Sequence, residues 1–195
     1  AGAYNADTTP VAWITSSEKS REAAYGINCL VEQEKTLGKP HRNYLDILVT
    51  VAVGHLEQFK RLSPWGINQP FMVGLTCEAL IKYQSLYPGN DWITTRIREA
   101  AEDLWSKYRV SKPVTTFVYA NKNEDTYNTN PAPDLNMLIA PVYGWLFKQS
   151  QDEWDLFRGD QIFNGGVQAA WLDGGKQFNQ NYRWSFDYLK WTGRI

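Results

Sequence analysis

Residue types suited to binding or acid/base chemistry fall in four groups along this 195-residue chain. Each stands where a periodic segment opens. Thr15, Ser16, Ser17, Glu18, Arg21 and Glu22 precede or begin the first, and Trp65, Asn68, Gln69 and Phe71 mark the next. Asp134 and Asn136 open a third, and the stretch 176–184 (KQFNQNYRW) opens the last. Amides offer donors and acceptors, as sugar hydroxyls do, and flat aromatic rings pack on the C–H faces of sugars. The last group is the most telling, because Asn is a poor helix former and Asn179 and Asn181 lie in an otherwise helical pattern. The binding set read from these groups is Trp65, Asn68, Gln69, Asn136, Asn179, Asn181, Arg183 and Trp184. A structural reading competes with it. Ser16, Ser17, Asn68 and Asp134 can each cap a helix by accepting from an orphan N–H, and the 177–184 amides can form a polar network that ties the last helix down.

Glycoside hydrolysis needs two carboxyl groups about 5–9.5 Å apart, one of them holding its proton. Glu22, Asp134 and Asp187 are the carboxylates nearest to the polar openings, and Asp134 with Asp187 forms the acid/base pair taken forward. A lyase would instead use Tyr182 as base, with Arg183 or an amide neutralising a uronate. The two histidines offer less, since His41 is expected to face solvent beside a loop and His55 to be buried and satisfied inside a helix. No nucleophile elbow, phosphate-binding glycine loop or His-Glu-x-x-His helix occurs. Asn121, Asn123 and Asp125 resemble the start of a calcium loop, which would need Gly at its sixth position and Glu at its twelfth. Thr126 and Ala132 stand there instead, so a solvated loop is expected, and no metal or cofactor. Cys29 and Cys77 read as two buried thiols, with a single disulfide as the alternative.

The elements that must position these groups are helices. Spacing and punctuation predict seven, over 17–36, 41–61, from Pro70 to the break at Pro88, 91–108, from Asp134 through Phe147, 152–171 and 177–191. The fourth is the cleanest amphipath, with Ile93, Ile97, Ala100, Ala101, Leu104 and Tyr108 on one face. In the seventh, Phe178, Tyr182, Phe186 and Leu189 align. The segment 47–53 (ILVTVAV) leaves only Thr50 polar, so the second helix is expected to be covered on two sides. A long loop spans 110–133, within which 114–120 (VTTFVYA) has strand-like composition but no obvious partner. The first 14 residues read as an extended segment, and 1–195 as one domain. Ala1 to Thr9 is short, polar and small and does not read as a signal peptide.

Composition narrows the partners. Twenty basic against 21 acidic residues give a net charge of −1, with no basic run longer than two, so no nucleic-acid footprint is present. No apolar stretch approaches the roughly 20 residues that span a bilayer, so no membrane partner is expected. Nine Trp, eleven Tyr and eight Phe make up 14% of the chain, enough to supply both a core and an exposed stacking surface.

An offset of 48 superposes 26–56 on 74–104 with identities at Gly26/Gly74, Cys29/Cys77, Pro40/Pro88, Ala52/Ala100 and Leu56/Leu104. This implies two similar helical hairpins, with 138–167 a third. Alternate helices of such an array start at the same end, which would bring the four polar openings onto one rim. The stretches 68–83 (NQPFMVGLTCEALIKY), 134–148 (DLNMLIAPVYGWLFK) and 176–191 (KQFNQNYRWSFDYLKW) resemble bacterial six-hairpin (α/α)-toroid domains. That resemblance implies secreted or periplasmic glycoside hydrolases, polysaccharide lyases or related proteins, with the ligand cleft at one end of the toroid. With about seven helices rather than twelve, the expected fold is all-α, consecutive antiparallel hairpins in a partial toroid or compact array. The expected function is an extracytoplasmic domain that binds a polysaccharide or oligosaccharide and cleaves it if Asp134, Asp187 or Tyr182 is catalytic. The alternatives are an assembly domain, whose second helix packs on a sister subunit or on further hairpins, and an enzyme for a non-carbohydrate substrate.

Overall fold

The computed structural model describes residues 14–61, 67–122 and 127–195. The chain is all-α, with about 73% of the described residues helical. Seven α-helices are present among the described residues: α1 Ser20–Leu37, α2 Arg42–Lys60, α3 Pro70–Leu86, α4 Asp91–Asp103, α5 Ala140–Ser150, α6 Glu153–Ala169 and α7 Gly175–Trp191. Local chemistry sets their ends. A 3₁₀ turn, Ser17–Lys19, leads into α1, with the Ser16 hydroxyl accepting from Glu18 N. Gly38 closes α1 at φ 63°, a left-handed conformation that a Cβ would disfavour. Pro70 begins α3, where its missing N–H costs nothing, and Asp152 caps α6 by accepting from Trp154 N at 2.9 Å.

The repeat is visible in this order. Pro40 and Pro88 occupy the α1–α2 and α3–α4 turns, while Ala52, Ala100, Leu56 and Leu104 all lie in the core. The two cysteines diverge: both are free, Cys77 buried and Cys29 exposed. Neither the disulfide nor the pair of buried thiols expected from sequence is what forms. Burial pushes the Cys77 thiol up to about 12.

That divergence follows from which helix is central. Twelve of the 17 residues of α3 are buried, and α1, α2, α4 and α5 all pack on it. A helix apolar on every side belongs inside. The second helix is covered on more than one side, as its apolar middle implies, by α1, α3 and α4, without being the central one. Its Leu48, Val49 and Ala52 are buried, but Ile47 stays 39% exposed and Thr50 turns its hydroxyl back to Asp46 O at 2.8 Å.

Beyond α4 a π-helical turn, Leu104–Tyr108, leads into a small antiparallel ladder, Arg109–Val110 with Thr116–Phe117. The strand-like stretch 114–120 therefore does have a partner, one too short for any alternation to announce it. Its other edge is bonded as well: Tyr119 N donates to Asn130 O, Ala120 N to Asn128 O and Ala132 N to Phe117 O, all at 2.8–2.9 Å. Asn121 N donates to Asn68 O while Asn121 Oδ1 accepts from Asn68 N, which fastens this excursion to the start of α3. A second 3₁₀ turn, Pro133–Leu138, then precedes α5, so the fifth helix begins at Ala140 and not at Asp134.

The seventh helix turns the opposite way from its aromatic spacing. Asn181, Trp184 and Tyr188 are buried, whereas Phe178, Tyr182 and Phe186 are 51%, 60% and 44% exposed. Gly144 of α5 and Gly159 of α6 decide this. A Cβ on either would lie within 3 Å of the Tyr188 ring, so the two glycines form the notch that receives it. At the bottom of that notch Tyr188 Oη donates to Asp160 at 2.7 Å.

Candidate functional site

The starts of α1, α3 and α7 lie at one end of the molecule, where two clefts open between them. The first, of about 290 Å³, is bounded by the 3₁₀ turn and first residues of α1, by His55 and Phe59 near the end of α2, and by Asn68 and Gln69 before α3 with Met72, Val73 and Thr76 within it. The second, of about 260 Å³, lies between Tyr25 of α1, Phe71 and Leu75 of α3, the 3₁₀ turn at Asp134–Leu138, and Lys176, Gln177, Gln180 and Trp184 of α7. Arg21 and Tyr119 line both, so the two clefts are neighbours that share these side chains, and together they are called the groove below. Tyr119 reaches this position because the 108–132 excursion is laced to Asn68, and its ring packs on Phe71 with centroids 5.6 Å apart.

The two ends of the groove differ in charge. Glu18, Glu22 and Arg21 line the first cleft, while Arg21, Lys176 and Asp134 line the second. Arg21, Glu18 and Glu22 form no ion pair among the described residues, so their charges are available to a ligand. His55 lies at the wall of the first cleft, 2% exposed. Its Nε2 donates to Ile14 O at 2.6 Å, and its Nδ1 is buried with no partner among the described residues. Burial lowers the imidazole pKa, against the opposing pull of the Ile14 carbonyl and of Glu22. Sequence placed His55 as buried and satisfied; it is buried and half satisfied. Ser20 Oγ and Asn68 Nδ2, on residues lining the same cleft and each 4% exposed, are also without hydrogen-bond partners.

No protein-family model, curated protein or solved structure matches this chain. The site must therefore be read from its own geometry.

Of the residues singled out by sequence, the groove gathers Asn68 and Gln69 in the first cleft and Asp134 and Trp184 in the second. Trp65 lies outside the described residues, as do Asn123 and Asp125 of the calcium-like loop. The described residues hold no cluster of metal-ligating side chains. Asn136 is withdrawn from any ligand. It is completely buried, with Oδ1 accepting from Thr116 Oγ1 at 2.8 Å and Nδ2 donating to Thr115 O and Ile162 O at 2.9 and 2.8 Å. Asn181 is 8% exposed, and its amide nitrogen donates to Asp134 O and Gln177 O. Here the competing reading of the polar network holds, because Gln180 and Asn181 tie α7 to the 3₁₀ turn through the Asp134 carbonyl.

Arg183 and Trp184 close on Glu78 of α3. Arg183 Nη2 reaches Glu78 Oε1 at 3.0 Å, Trp184 Nε1 donates to Oε2 at 2.9 Å, and Lys82 Nζ lies 2.7 Å from Oε1. Glu78 is buried, and a buried carboxylate needs all its lone pairs occupied. Trp184 thus shows the groove only part of its ring. Asn179 is exposed on α7, and Tyr182 stands on the same helix, stacked at 13° on Phe178 and edge-on to Phe186.

The proposed Asp134 and Asp187 pair is not brought together in one cleft. Asp134 lines the groove, whereas Asp187 lies two turns further along α7 than the groove-lining Gln180, beside a pocket of about 40 Å³ between Glu78, Lys82 and Trp191. Burial and the nearby Glu78 charge raise its pKa. The carboxylates facing the first cleft are Glu18 and Glu22. Sequence reasoning did not single out Tyr25, Tyr119 or Tyr127 for the groove. Tyr25 was legible, four residues after Arg21 on the same helical face. The other two sit in irregular backbone, where no periodicity operates.

Proposed function

We propose that this domain binds a polysaccharide or oligosaccharide along the groove at the starts of α1, α3 and α7. One observation carries the reading: two adjacent clefts that share Arg21 and Tyr119 are lined by tyrosines, amides and charged side chains that form no ion pair among the described residues. Tyrosine rings supply flat apolar surface with a polar edge, and amides match hydroxyls in both directions. The likeness of three stretches to toroid domains, whose cleft opens at one end, supports the same reading. If the groove is catalytic, its carboxylates Glu18, Glu22 and Asp134 are placed for acid/base work better than Asp187, and Tyr25, Tyr119 and Tyr127 better than Tyr182.

The test is retention on immobilised neutral and acidic polysaccharides, with released reducing and unsaturated ends assayed together. Retention should fall about tenfold in Tyr25→Ala, the loss of roughly one stacking contact, with the unfolding transition unchanged because Tyr25 is 49% exposed. No retention of the wild-type chain on any member would overturn the reading. A second reading, self-association, is favoured by the exposed Phe178, Tyr182 and Phe186 stripe. A particle mass that rises with concentration in light scattering would support it.

A further inference from the structure

Three polar side chains of the first cleft, two from different helices and one from the turn before a third, are buried yet incompletely bonded. Ser20 stands at the start of α1, His55 in the third turn or later of α2, and Asn68 just before α3. Buried polar atoms are rarely left without partners, since each forfeits its hydration with no bond in exchange. Of the nine such atoms among the described residues, three belong to residues that line this one cleft. Tyr108 Oη has no well-formed hydrogen bond among the described residues either, but the Asn68 amide lies against it and acts on it as a donor. An amide nitrogen carries two N–H groups, so Asn68 retains one for the cleft even if Tyr108 takes the other.

We propose, on the basis of the groove reading above, that this cleft is a subsite for one uncharged sugar ring, recognised through its hydroxyls by His55 Nδ1 as acceptor and Asn68 Nδ2 as donor. The chemistry of the three atoms selects the ligand group. His55 Nε2 is committed as donor to Ile14 O, which leaves Nδ1 a bare lone pair that needs a donor. Asn68 Nδ2 needs an acceptor, and Ser20 Oγ serves as either. A hydroxyl group donates and accepts at once, so neighbouring hydroxyls satisfy the set. A carboxylate cannot donate to Nδ1, and it would meet Glu18 and Glu22 on the same wall. The second cleft, where Lys176 joins the shared Arg21 against Asp134 alone, is the one suited to an acidic residue.

The experiment titrates the full chain calorimetrically with cellotetraose, mannotetraose, xylotetraose and tetragalacturonate. His55→Gln keeps a nitrogen donor for Ile14 O while deleting the Nδ1 acceptor. Asn68→Asp replaces the amide donor with an acceptor and leaves the backbone bonds to Asn121 in place. At least one neutral tetrasaccharide should bind, and each variant, at a temperature where it is folded, should bind it about tenfold more weakly or worse. Should one variant fail to fold, the other carries the test. Neutral binding that both variants retain in full would overturn the subsite and leave the groove reading standing. So would binding of tetragalacturonate alone. Binding of none of the four, together with no retention on the polysaccharide panel, would overturn both.

Discussion

Asn136→Ala should destabilise the fold severely while leaving the groove's own chemistry untouched. The Asn136 side chain makes three hydrogen bonds, to Thr116 Oγ1, Thr115 O and Ile162 O, at 2.8–2.9 Å with no exposure to solvent. It therefore joins the short ladder, the 3₁₀ turn before α5 and the middle of α6 at a single point. At about 1 kcal/mol net per bond, plus the cost of leaving buried carbonyls short of partners, the expected loss is about 3–4 kcal/mol. For a chain of this length that corresponds to roughly 6–16 °C in Tm. Urea unfolding followed by far-UV circular dichroism would read it as a lower midpoint at unchanged slope. A midpoint within error of wild type would refute the reasoning. A large loss of glycan affinity in fully folded protein would refute it too, by returning Asn136 to the binding set.

Three further substitutions test the packing and the electrostatics. Gly165→Ala places a Cβ 2.0 Å from the Thr115 carbonyl, a backbone atom that cannot swing aside; overpacking of about 1–3 kcal/mol should outweigh the gain of about 1 kcal/mol in helix propensity. Gly54→Ala in α2, where a Cβ meets nothing within 4 Å, should instead stabilise by up to about 1 kcal/mol, and paired thermal melts give the signs. Asp187 has a folded pKa raised by burial and by Glu78, so the native state binds more protons than the unfolded state just above the ordinary carboxylate value. Its contribution to stability falls as pH rises through that window and stays unfavourable at neutral pH. Asp187→Asn should raise Tm at neutral pH and flatten the pH dependence there, whereas a lower Tm would show that the carboxylate is held by partners and not merely desolvated.

The helices were legible because their signals are local. Periodicity in 91–108, Pro70 at a first turn, Gly38 past a last turn and Asp152 at a cap each act within one or two turns. The hairpin repeat was legible for the same reason, and the gathering of polar helix starts at one end follows from up-down topology without any knowledge of packing. What each polar side chain does at that end was not legible. An amide on a helix looks the same in sequence whether it meets solvent, as Asn179 does, or a carbonyl from a distant segment, as Asn136 and Asn181 do.

Sequence alone determined the class, the hairpin order and the ends of most helices, since these are set by interactions between residues close along the chain. Tertiary structure decided which helix lies at the centre, which face of α7 turns inward and which polar atoms are spent on the fold. Each of those outcomes rests on a contact between residues far apart in sequence. Trp184 finds the buried Glu78, Tyr188 finds a notch made by Gly144 and Gly159, and Asn121 pins the excursion that carries Tyr119 into the groove. Spacing offers two candidate faces for α7, and only the shape and charge of its neighbours choose between them.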